Sequence, residues 1–435
     1  MTESENAPIS PNSTQQSVGG VLLRAAAITA VAVFLLGFTI FWFTQPAVDP
    51  TFRVIGPSMA PALLGPHCAV LCERCQIQFE IDASASLPEI ATCLNCGFQN
   101  NPVASLPVLP GSQLELVPLS ETPQRFDLVA YQPADARQSL TVKRVVGLPG
   151  ETIGFNQGDL YIDGERFVKT LSQFQDLAIT LYNQHYEDPI DSRWITDNSS
   201  TAWQVWPGKI QYAKQDSSSN SSWLIYQHLA ALPLPHQPDQ LASPTDQYVY
   251  NPTLSREISP ITDWIVSFSL IGKELDQLEI QFDGRPTIIA KIDFKNNALS
   301  LHQDEQTLAT ESLQNGLEFP LVIHAGYLDG QILLQSESGQ SKIKASARVQ
   351  QVRWSKTPLK FRAQAESAEL KNLLIQRDLY YLNPAGRKDS WQQSQKLGQN
   401  GLFLMGDNVP VSEDSRMWNE EVNADKLLTA KVLHR

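Results

Sequence analysis

The sequence of 435 residues lacks an excess of basic side chains, since 33 Lys and Arg stand against 46 Asp and Glu. Nucleic-acid-binding proteins draw much of their affinity from basic side chains on phosphates, so a net charge of −13 disfavours such a partner. The chain also lacks a fixed-period repeat, a helix-turn-helix pattern and any second long apolar run. Apolar residues nevertheless make up 42% of it, which predicts real cores in two or three domains.

The one long apolar run, AAAITAVAVFLLGFTIFWFT, occupies residues 25–44 and contains no charged side chain. At about 1.5 Å per helical residue it spans roughly 30 Å, the thickness of a hydrocarbon core. A cleaved secretory signal is the alternative, but its apolar region should be shorter and be followed by small residues. We therefore predict a flexible tail over 1–24 and a transmembrane helix over 25–44. Arg24 and Arg53 flank the run almost evenly, so charge alone does not set its orientation.

Four of the five cysteines form two Cys-x-x-Cys pairs, Cys72 with Cys75 and Cys93 with Cys96. Two such pairs can place four thiolates around Zn²⁺, which predicts a zinc ribbon over 72–96. With four protein ligands this zinc would be structural rather than catalytic. Two disulfides are the alternative in an oxidising compartment, and four thiols allow three pairings. The fifth cysteine, Cys68, is typical of a buried small apolar residue.

The rest of the chain has the short alternating segments of a mostly β protein. LTVKRVV (140–146) predicts a strand before a Pro-Gly turn, and LYIDGERF (160–167) predicts a hairpin around Asp163-Gly164. Between about 260 and 380, segments such as WIVSFSL, TIIAKIDF and LVIHAGY recur at regular intervals, which indicates a β-sandwich. This region resembles concanavalin-like and laminin-G-like jelly rolls, folds that often bind carbohydrate or peptide.

Four segments carry groups suited to nucleophilic catalysis: GPSMAPAL (56–63), FDLVAYQ (126–132), VKRVVGLPGE (142–151) and MGDNVPVSEDSR (405–416). A serine hydroxyl needs a nearby base, and Lys143, flanked by valines, could serve if burial lowered its pKa. Lowering that pKa from about 10.4 to about 7.5 requires roughly 4 kcal/mol of preference for the neutral amine. His67 is the rival base, in a Ser-His-Asp arrangement, but it lies beside cysteines and nothing in the sequence directs it toward Ser58.

In order and content these segments resemble the conserved boxes of signal peptidase I, a family of Ser/Lys-dyad leader peptidases. The resemblance implies that Ser58 is the nucleophile, that its N–H helps to form the oxyanion hole, and that Lys143 is the general base. Ser412 would orient the Lys143 amine. The remaining supporting residues implied by the resemblance are an Asp414–Arg416 ion pair and the loop residues Gly406, Asp407 and Asn408. The chain departs from the family pattern at Gly56, where some members have a serine, and at Phe126, which replaces a glycine.

The resemblance and the segmentation together predict a membrane-anchored β catalytic domain with two insertions. The predicted parts are a catalytic domain over 50–71, 97–167 and 396–435, a zinc ribbon over 72–96, and an insertion over 168–395 with its sandwich at about 260–380. The resemblance implies a membrane-bound serine endopeptidase that removes leader peptides from exported preproteins through an acyl-enzyme, without a cofactor for the chemistry. Its partners would be preproteins and the lipid bilayer, with a single pass in the inner membrane and an extracytoplasmic catalytic domain.

Two other functions fit parts of the pattern. A membrane-anchored binding protein could use the ribbon and the sandwich and keep a vestigial site, but this gives no reason to retain Ser58, Lys143 and Ser412 together. A self-cleaving regulator with the same Ser/Lys chemistry is disfavoured by the membrane segment and by the lack of a helix-turn-helix.

Overall fold

A computed structural model of the protein describes most of the chain after the apolar run. The described residues are 30, 51–117, 122–133, 140–197, 201–215, 222–230, 232, 240–312, 318–339, 341–349, 352–382, 394–418, 421–423 and 428–434. Within these ranges, no helix is long and apolar enough to cross a membrane. The predicted tail over 1–24 and, apart from Ala30, the predicted transmembrane helix over 25–44 lie outside the described residues.

Strands dominate the described residues, which confirms the predicted mostly β fold. Apart from Ala30, which is helical, the described residues contain one α-helix, α1 (Leu171–Leu177), and a single 3-10 turn, Gln184–Tyr186. The strands are β1 (Thr51–Arg53), β2 (His67–Leu71), β3 (Gln78–Asp82), β4 (Ile90–Ala91), β5 (Asn101–Pro102), β6 (Gln113–Val117), β7 (Leu128–Tyr131), β8 (Thr141–Gly147), β9 (Thr152–Asn156), β10 (Asp159–Ile162), β11 (Glu165–Arg166), β12 (Ile179–Asn183), β13 (Trp194–Thr196), β14 (Trp203–Trp206), β15 (Lys209–Ala213), β16 (Leu224–Tyr226), β17 (Trp264–Lys273), β18 (Gln277–Arg285), β19 (Ile288–Asp293), β20 (Ala298–Gln303), β21 (Gln306–Ser312), β22 (Leu321–Leu328), β23 (Gln331–Ser338), β24 (Ser341–Arg348), β25 (Arg353–Gln364), β26 (Ser367–Arg377), β27 (Gln395–Lys396), β28 (Gly401–Met405), β29 (Val422–Asn423) and β30 (Leu428–His434).

The sheet that carries Lys143 has seven strands in the order β1-β6-β30-β7-β8-β28-β29. Strand β28 follows the long insertion and pairs antiparallel with β8, with Met405 opposite Arg144. This pairing sets the loop after β28 beside Lys143. A second sheet, β11-β10-β9-β27, contains the predicted hairpin, whose Asp163 and Gly164 have φ values of 51° and 89°. Two positive φ values in a row suit the tight turn that an Asp-Gly pair favours.

The inserted region folds into two sheets that pack face to face. One sheet has the order β14-β15-β26-β17-β22-β23-β24, with β12 also paired to β26, and the other has the order β13-β16-β25-β18-β19-β20-β21. A single hydrophobic cluster fills the space between them, built from alternating residues such as Val266, Phe268 and Leu270 of β17. The sandwich also takes strands from Ile179 onward, ahead of the predicted range of about 260–380. Those early strands are three to five residues long, too short to show a clear alternation in the sequence.

The inserted region contacts both neighbouring parts of the chain. Asp188 forms an ion pair with Arg74 of the cysteine-rich segment, at 2.7 Å. On the catalytic side, the Tyr381 N–H donates to the Gly158 carbonyl at 3.0 Å, and Arg416 donates to the Leu382 carbonyl at 2.8 Å. These buried polar contacts fix the insertion against the domain that it interrupts.

Candidate active site

Ser58 lies in a turn after β1, fixed by the residues around it. The Ala60 N–H donates to the Pro57 carbonyl at 3.2 Å, and the Leu63 N–H donates to the Met59 carbonyl at 2.9 Å. The Met59 and Leu63 side chains are almost fully buried in one apolar cluster. The chain on the C-terminal side of Ser58 is therefore anchored, while Ser58 itself stays partly exposed.

Lys143 points its amine at two hydroxyl groups. Its Nζ lies 3.1 Å from Ser58 Oγ and 3.2 Å from Ser412 Oγ, and the residue is only 2% exposed. Burial lowers the Lys143 pKa to about 8, because it disfavours the ammonium more than the nearby Asp414 carboxylate favours it. At pH 7 roughly a tenth of the amines would then be neutral, against far fewer for a solvated lysine.

Gly406 allows the loop after β28 to approach Ser58 closely. A Cβ at this position would lie 2.2 Å from Ser412 Oγ and 2.4 Å from the Ser58 carbonyl oxygen, distances that no side chain can adopt. Next in the loop, the Asn408 N–H donates to the Ser58 carbonyl at 3.0 Å. The Ser412 N–H donates in turn to the Asn408 carbonyl, also at 3.0 Å. The loop thus holds Ser58 and Ser412 on either side of the Lys143 amine.

Asp414 and Arg416 form a buried ion pair, the arrangement that the family resemblance implies. Arg416 Nε lies 2.7 Å from Asp414 Oδ1, and a terminal guanidinium nitrogen lies 2.8 Å from Oδ2. Asp414 Oδ2 also accepts from the Gly406 N–H at 3.1 Å. Arg416 places its other donors on backbone carbonyls, including that of Val409 at 2.9 Å. Both buried charges are thus neutralised by each other and hydrogen-bonded to nearby backbone groups, as buried ions require.

A second buried ion pair was not predicted from the sequence. Arg144 Nε donates to Asp407 Oδ1 at 2.7 Å, and a terminal nitrogen donates to Oδ2 at 2.5 Å. Another terminal nitrogen donates to the Phe126 carbonyl at 2.7 Å. The sequence does indicate a different environment for Arg144, because it follows Lys143 on a strand and its side chain must point to the opposite face. Phe126 has a φ of 73°, which explains why the family pattern has glycine there.

His67, the rival base, lies in β2 and is engaged elsewhere. Its Nδ1 lies 2.8 Å from the Gly65 carbonyl oxygen, and its backbone pairs with Asp82 of β3. Among the described contacts, none joins its ring to Ser58. Around Ser58, then, the structure brings together Lys143, Ser412 and the 406–416 loop, but not His67.

The four paired cysteines are buried together in two similar turns. Cys72 and Cys96 have their sulfurs 3.6 Å apart, as do Cys75 and Cys93, so these thiols are free rather than bridged. All four sulfurs lie within 4.8 Å of one another. A tetrahedron with Zn–S bonds of about 2.3 Å has edges of about 3.8 Å, so the site fits a zinc ion.

The two turns repeat one hydrogen-bonding pattern. In the first, the Gln76 N–H donates to the Cys72 carbonyl and the Cys72 N–H to the Ile77 carbonyl. The second has the same pair of bonds, from Gly97 to Cys93 and from Cys93 to Phe98. The residue after each pair has a positive φ, 62° at Gln76 and 79° at Gly97. This turn directs both thiols of a pair to the same point.

Comparisons with known proteins support a peptidase. Residues 22–210 match the model of the family described as signal peptidase, peptidase S26. That range includes Ser58 and Lys143 and ends before the 406–416 loop. No curated protein matches the chain significantly.

Several solved structures resemble parts of the chain, with low sequence identities and low TM-scores. They include the carbohydrate-binding module CBM66 from Bacillus subtilis, 10% identical, covering 42% of this chain and 94% of that one with a TM-score of 0.28. They also include the exoplasmic/lumenal domain of VIP36, 10% identical, covering 44% of this chain and 86% of that one with a TM-score of 0.29. A galectin from Caenorhabditis elegans, LEC-6, is 6% identical over 27% of this chain and 81% of that one, with a TM-score of 0.19.

Proposed function

We propose that the protein is a membrane-bound serine endopeptidase that removes leader peptides from exported preproteins. The observation that carries the proposal is the distance of 3.1 Å between the buried Lys143 amine and Ser58 Oγ. A neutral Lys143 can take the Ser58 proton as the hydroxyl attacks a peptide carbonyl. The resulting ammonium can return that proton to the leaving amine, which leaves an acyl group on Ser58. The Lys143 amine, neutral again, then activates the water that releases this acyl group.

Supporting groups act on orientation and on charge. Ser412, at 3.2 Å from the amine, would direct the lone pair of Lys143 toward Ser58. The Ser58 N–H donates to none of the described acceptors and is thereby available for the oxyanion that forms during attack. Since Gly56 carries no hydroxyl, the oxyanion would depend on backbone donors at this side of the site.

A cleavage assay on a leader-bearing preprotein, with wild type and Ser58→Ala, tests the proposal. We expect wild type to release the leader and Ser58→Ala to show no cleavage at the same site. Ser84→Ala, whose exposed hydroxyl donates to Asp82 at 2.7 Å, is the matched control and should keep full activity. Equal leader release by wild type and Ser58→Ala would reject Ser58 as the nucleophile, and no release by wild type would favour a membrane-anchored binding protein.

The family resemblance also suggests the substrate's sequence requirement. We propose that the cut follows a small residue, with another small residue two positions earlier, in an extended leader segment that pairs with a strand edge. Peptides in which alanine at either position is replaced by leucine or aspartate should be cut far more slowly. Similar turnover of all these peptides would reject this specificity.

We further propose a single pass through the inner membrane by residues 25–44, with the body from residue 50 onward outside the cytoplasm. The length and apolar character of the run support the membrane segment. Protease added to intact spheroplasts should digest the body, and complete protection would show the opposite topology.

The cysteine site supports one structural zinc per chain. Cys72, Cys75, Cys93 and Cys96 would supply all four ligands, and the bound ion would stabilise the fold of the ribbon. Metal analysis of purified protein should find one zinc per chain and no disulfide. An absence of zinc together with four oxidised cysteines would contradict this proposal.

A further inference from the structure

We propose that Asn251, which lies in the inserted region, is a positioning residue for the nucleophile Ser58. Asn251 follows the early strands of the sandwich and precedes β17, far from Ser58 in the sequence. Its side chain nevertheless reaches the loop that holds Ser58. This inference rests on the proposed function, because it assigns Asn251 a role in the same Ser58 chemistry.

Asn251 and Asn408 hydrogen-bond to each other through their side-chain amides. Asn251 Nδ2 donates to Asn408 Oδ1 at 2.6 Å, and Asn408 Nδ2 donates to Asn251 Oδ1 at 3.0 Å. Both residues are buried, at 8% and 1% exposure. Two reciprocal bonds fix the plane of the Asn408 amide, which one bond would leave free to rotate.

Asn408 passes this constraint to the turn that contains Ser58. Its second Nδ2 hydrogen is directed to the Pro57 carbonyl, at 2.9 Å, and its backbone N–H donates to the Ser58 carbonyl at 3.0 Å. The Asn408 side chain therefore binds Asn251 on one side and the residue before the nucleophile on the other. Without Asn251, a buried carbonyl oxygen and one N–H of Asn408 would lose their partners, which favours a different rotamer.

The backbone around Asn251 is itself held by neighbouring parts of the chain. Its N–H donates to the Tyr248 carbonyl at 3.2 Å, and the Asp82 N–H donates to the adjacent Tyr250 carbonyl at 2.9 Å. The rings of Tyr248 and Tyr250 stack with centroids 5.7 Å apart. Asp82 ends β3 of the cysteine-rich segment, so this short stretch connects that segment and the sandwich to the Ser58 turn.

Two substitutions of Asn251 separate positioning from simple packing. Asn251→Ala removes the amide and leaves a cavity, whereas Asn251→Leu removes the amide and keeps a branched side chain that leaves no cavity. We expect both to lower kcat for a leader peptide by about 10- to 100-fold, with KM little changed, because a displaced nucleophile costs rate more than binding. The pH dependence should keep its midpoint, since neither variant changes the burial of Lys143 or the charged groups around it, which set its pKa.

Gln247→Ala is the matched control on the same stretch. Gln247 is a buried amide whose side chain bonds only with backbone atoms of Leu232, among the described contacts. It should show a loss of stability similar to that of Asn251→Ala and a kcat close to wild type. An unchanged kcat in both Asn251 variants, or an equal kcat loss in Gln247→Ala, would overturn the inference.

Hydrogen exchange gives a readout that does not depend on activity. We expect the peptides that contain residues 57–63 and 405–416 to exchange faster in Asn251→Leu than in wild type, and no faster in Gln247→Ala. Unchanged exchange of both segments in Asn251→Leu would overturn the inference, whatever the cleavage rates of the variants. Wild-type cleavage that does not require Ser58 would instead reject the proposed function, so the two failures are distinguishable.

Discussion

Two lysines are buried among the residues that the structure describes, and their surroundings differ in one respect. Lys143 faces the hydroxyls of Ser58 and Ser412, and its pKa falls to about 8. Lys169 faces the carboxylates of Asp329 and Asp378 at 2.6 and 2.9 Å, and these raise its pKa above the ordinary value despite burial. Desolvation disfavours both ammonium groups, and of the two only Lys169 has carboxylates in direct contact to offset that cost.

This difference separates a base from a structural cation. Lys169 stays charged, and it connects the start of the insertion to the turn between β22 and β23 and to the end of β26. Lys143 can become neutral near physiological pH, which is the state that a general base needs. The nearest ion pairs to Lys143, Asp414–Arg416 and Arg144–Asp407, neutralise their own charges, so they leave the amine close to its desolvated pKa. Burial alone therefore does not reveal which lysine is catalytic, but the hydrogen-bond partners do.

The largest effect should come from Lys143→Met, which keeps the length of the side chain and removes the base. We expect leader cleavage to fall by about 10³-fold or more. Stability should be retained or rise slightly, because an amine that was costly to bury is replaced by an apolar group. Cleavage rates and thermal unfolding of the same preparation check both parts. A rate within tenfold of wild type would contradict the assignment.

Lys169→Met should show the opposite behaviour. The substitution leaves Asp329 and Asp378 buried without their cation, which should cost roughly 3–5 kcal/mol of unfolding free energy. The fraction that stays folded should cleave peptides at a rate close to that of wild type. Urea unfolding measures the first effect, and rates corrected for active sites measure the second. If Lys169→Met lost chemistry without losing stability, the distinction between the two lysines would be wrong.

Ser412→Ala should have an intermediate effect. The Lys143 amine would keep Ser58 but lose its second contact, so its lone pair would be poorly directed, and kcat should fall by about 10²-fold. Stability should change little, because the variant removes a hydroxyl that makes no other described side-chain contact. Steady-state kinetics on a leader peptide check this expectation. A KM increase with an unchanged kcat would show that Ser412 contacts the substrate instead.

Asp378→Asn should have the smallest effect. It replaces one of the two carboxylates that contact Lys169 by a neutral amide, which makes the surroundings of Lys169 more like those of Lys143. Lys169 would keep Asp329, so the loss of unfolding free energy should be about 1–2 kcal/mol. The exposed Asp163→Asn serves as a control and should cost less. Denaturant midpoints of the two variants test the order. A larger cost for Asp163→Asn would contradict the importance of the buried ion cluster.

Much of the fold could be predicted from local sequence. The β-branched strand around Lys143, the Asp163-Gly164 hairpin and the long alternating strands of the sandwich all have strong local patterns. The short strands between Ile179 and Tyr226 were missed as part of the sandwich, because three to five residues give too little alternation to detect. Their place in the sheets is set by pairing with β25 and β26, which lie far along the chain.

The candidate site was partly predictable for a related reason. Ser58, Lys143 and the 406–416 loop lie in motifs whose spacing and order are specific. The Arg144–Asp407 pair could have been inferred from the alternation of side chains along β8. The role of Asn251 could not have been inferred, because it depends on how the insertion packs. No local pattern marks a single asparagine in a connecting segment.

The pH dependence of kcat/KM tests the central claim most directly, since the claim is that a buried Lys143 acts as the base for Ser58. Activity should rise with pH as the ammonium loses its proton, with a midpoint near 8, and then reach a plateau. Lys143→Met should abolish this limb, and His67→Ala should leave it in place. A rising limb near pH 6.5 that disappears in His67→Ala, or a flat profile, would contradict the account.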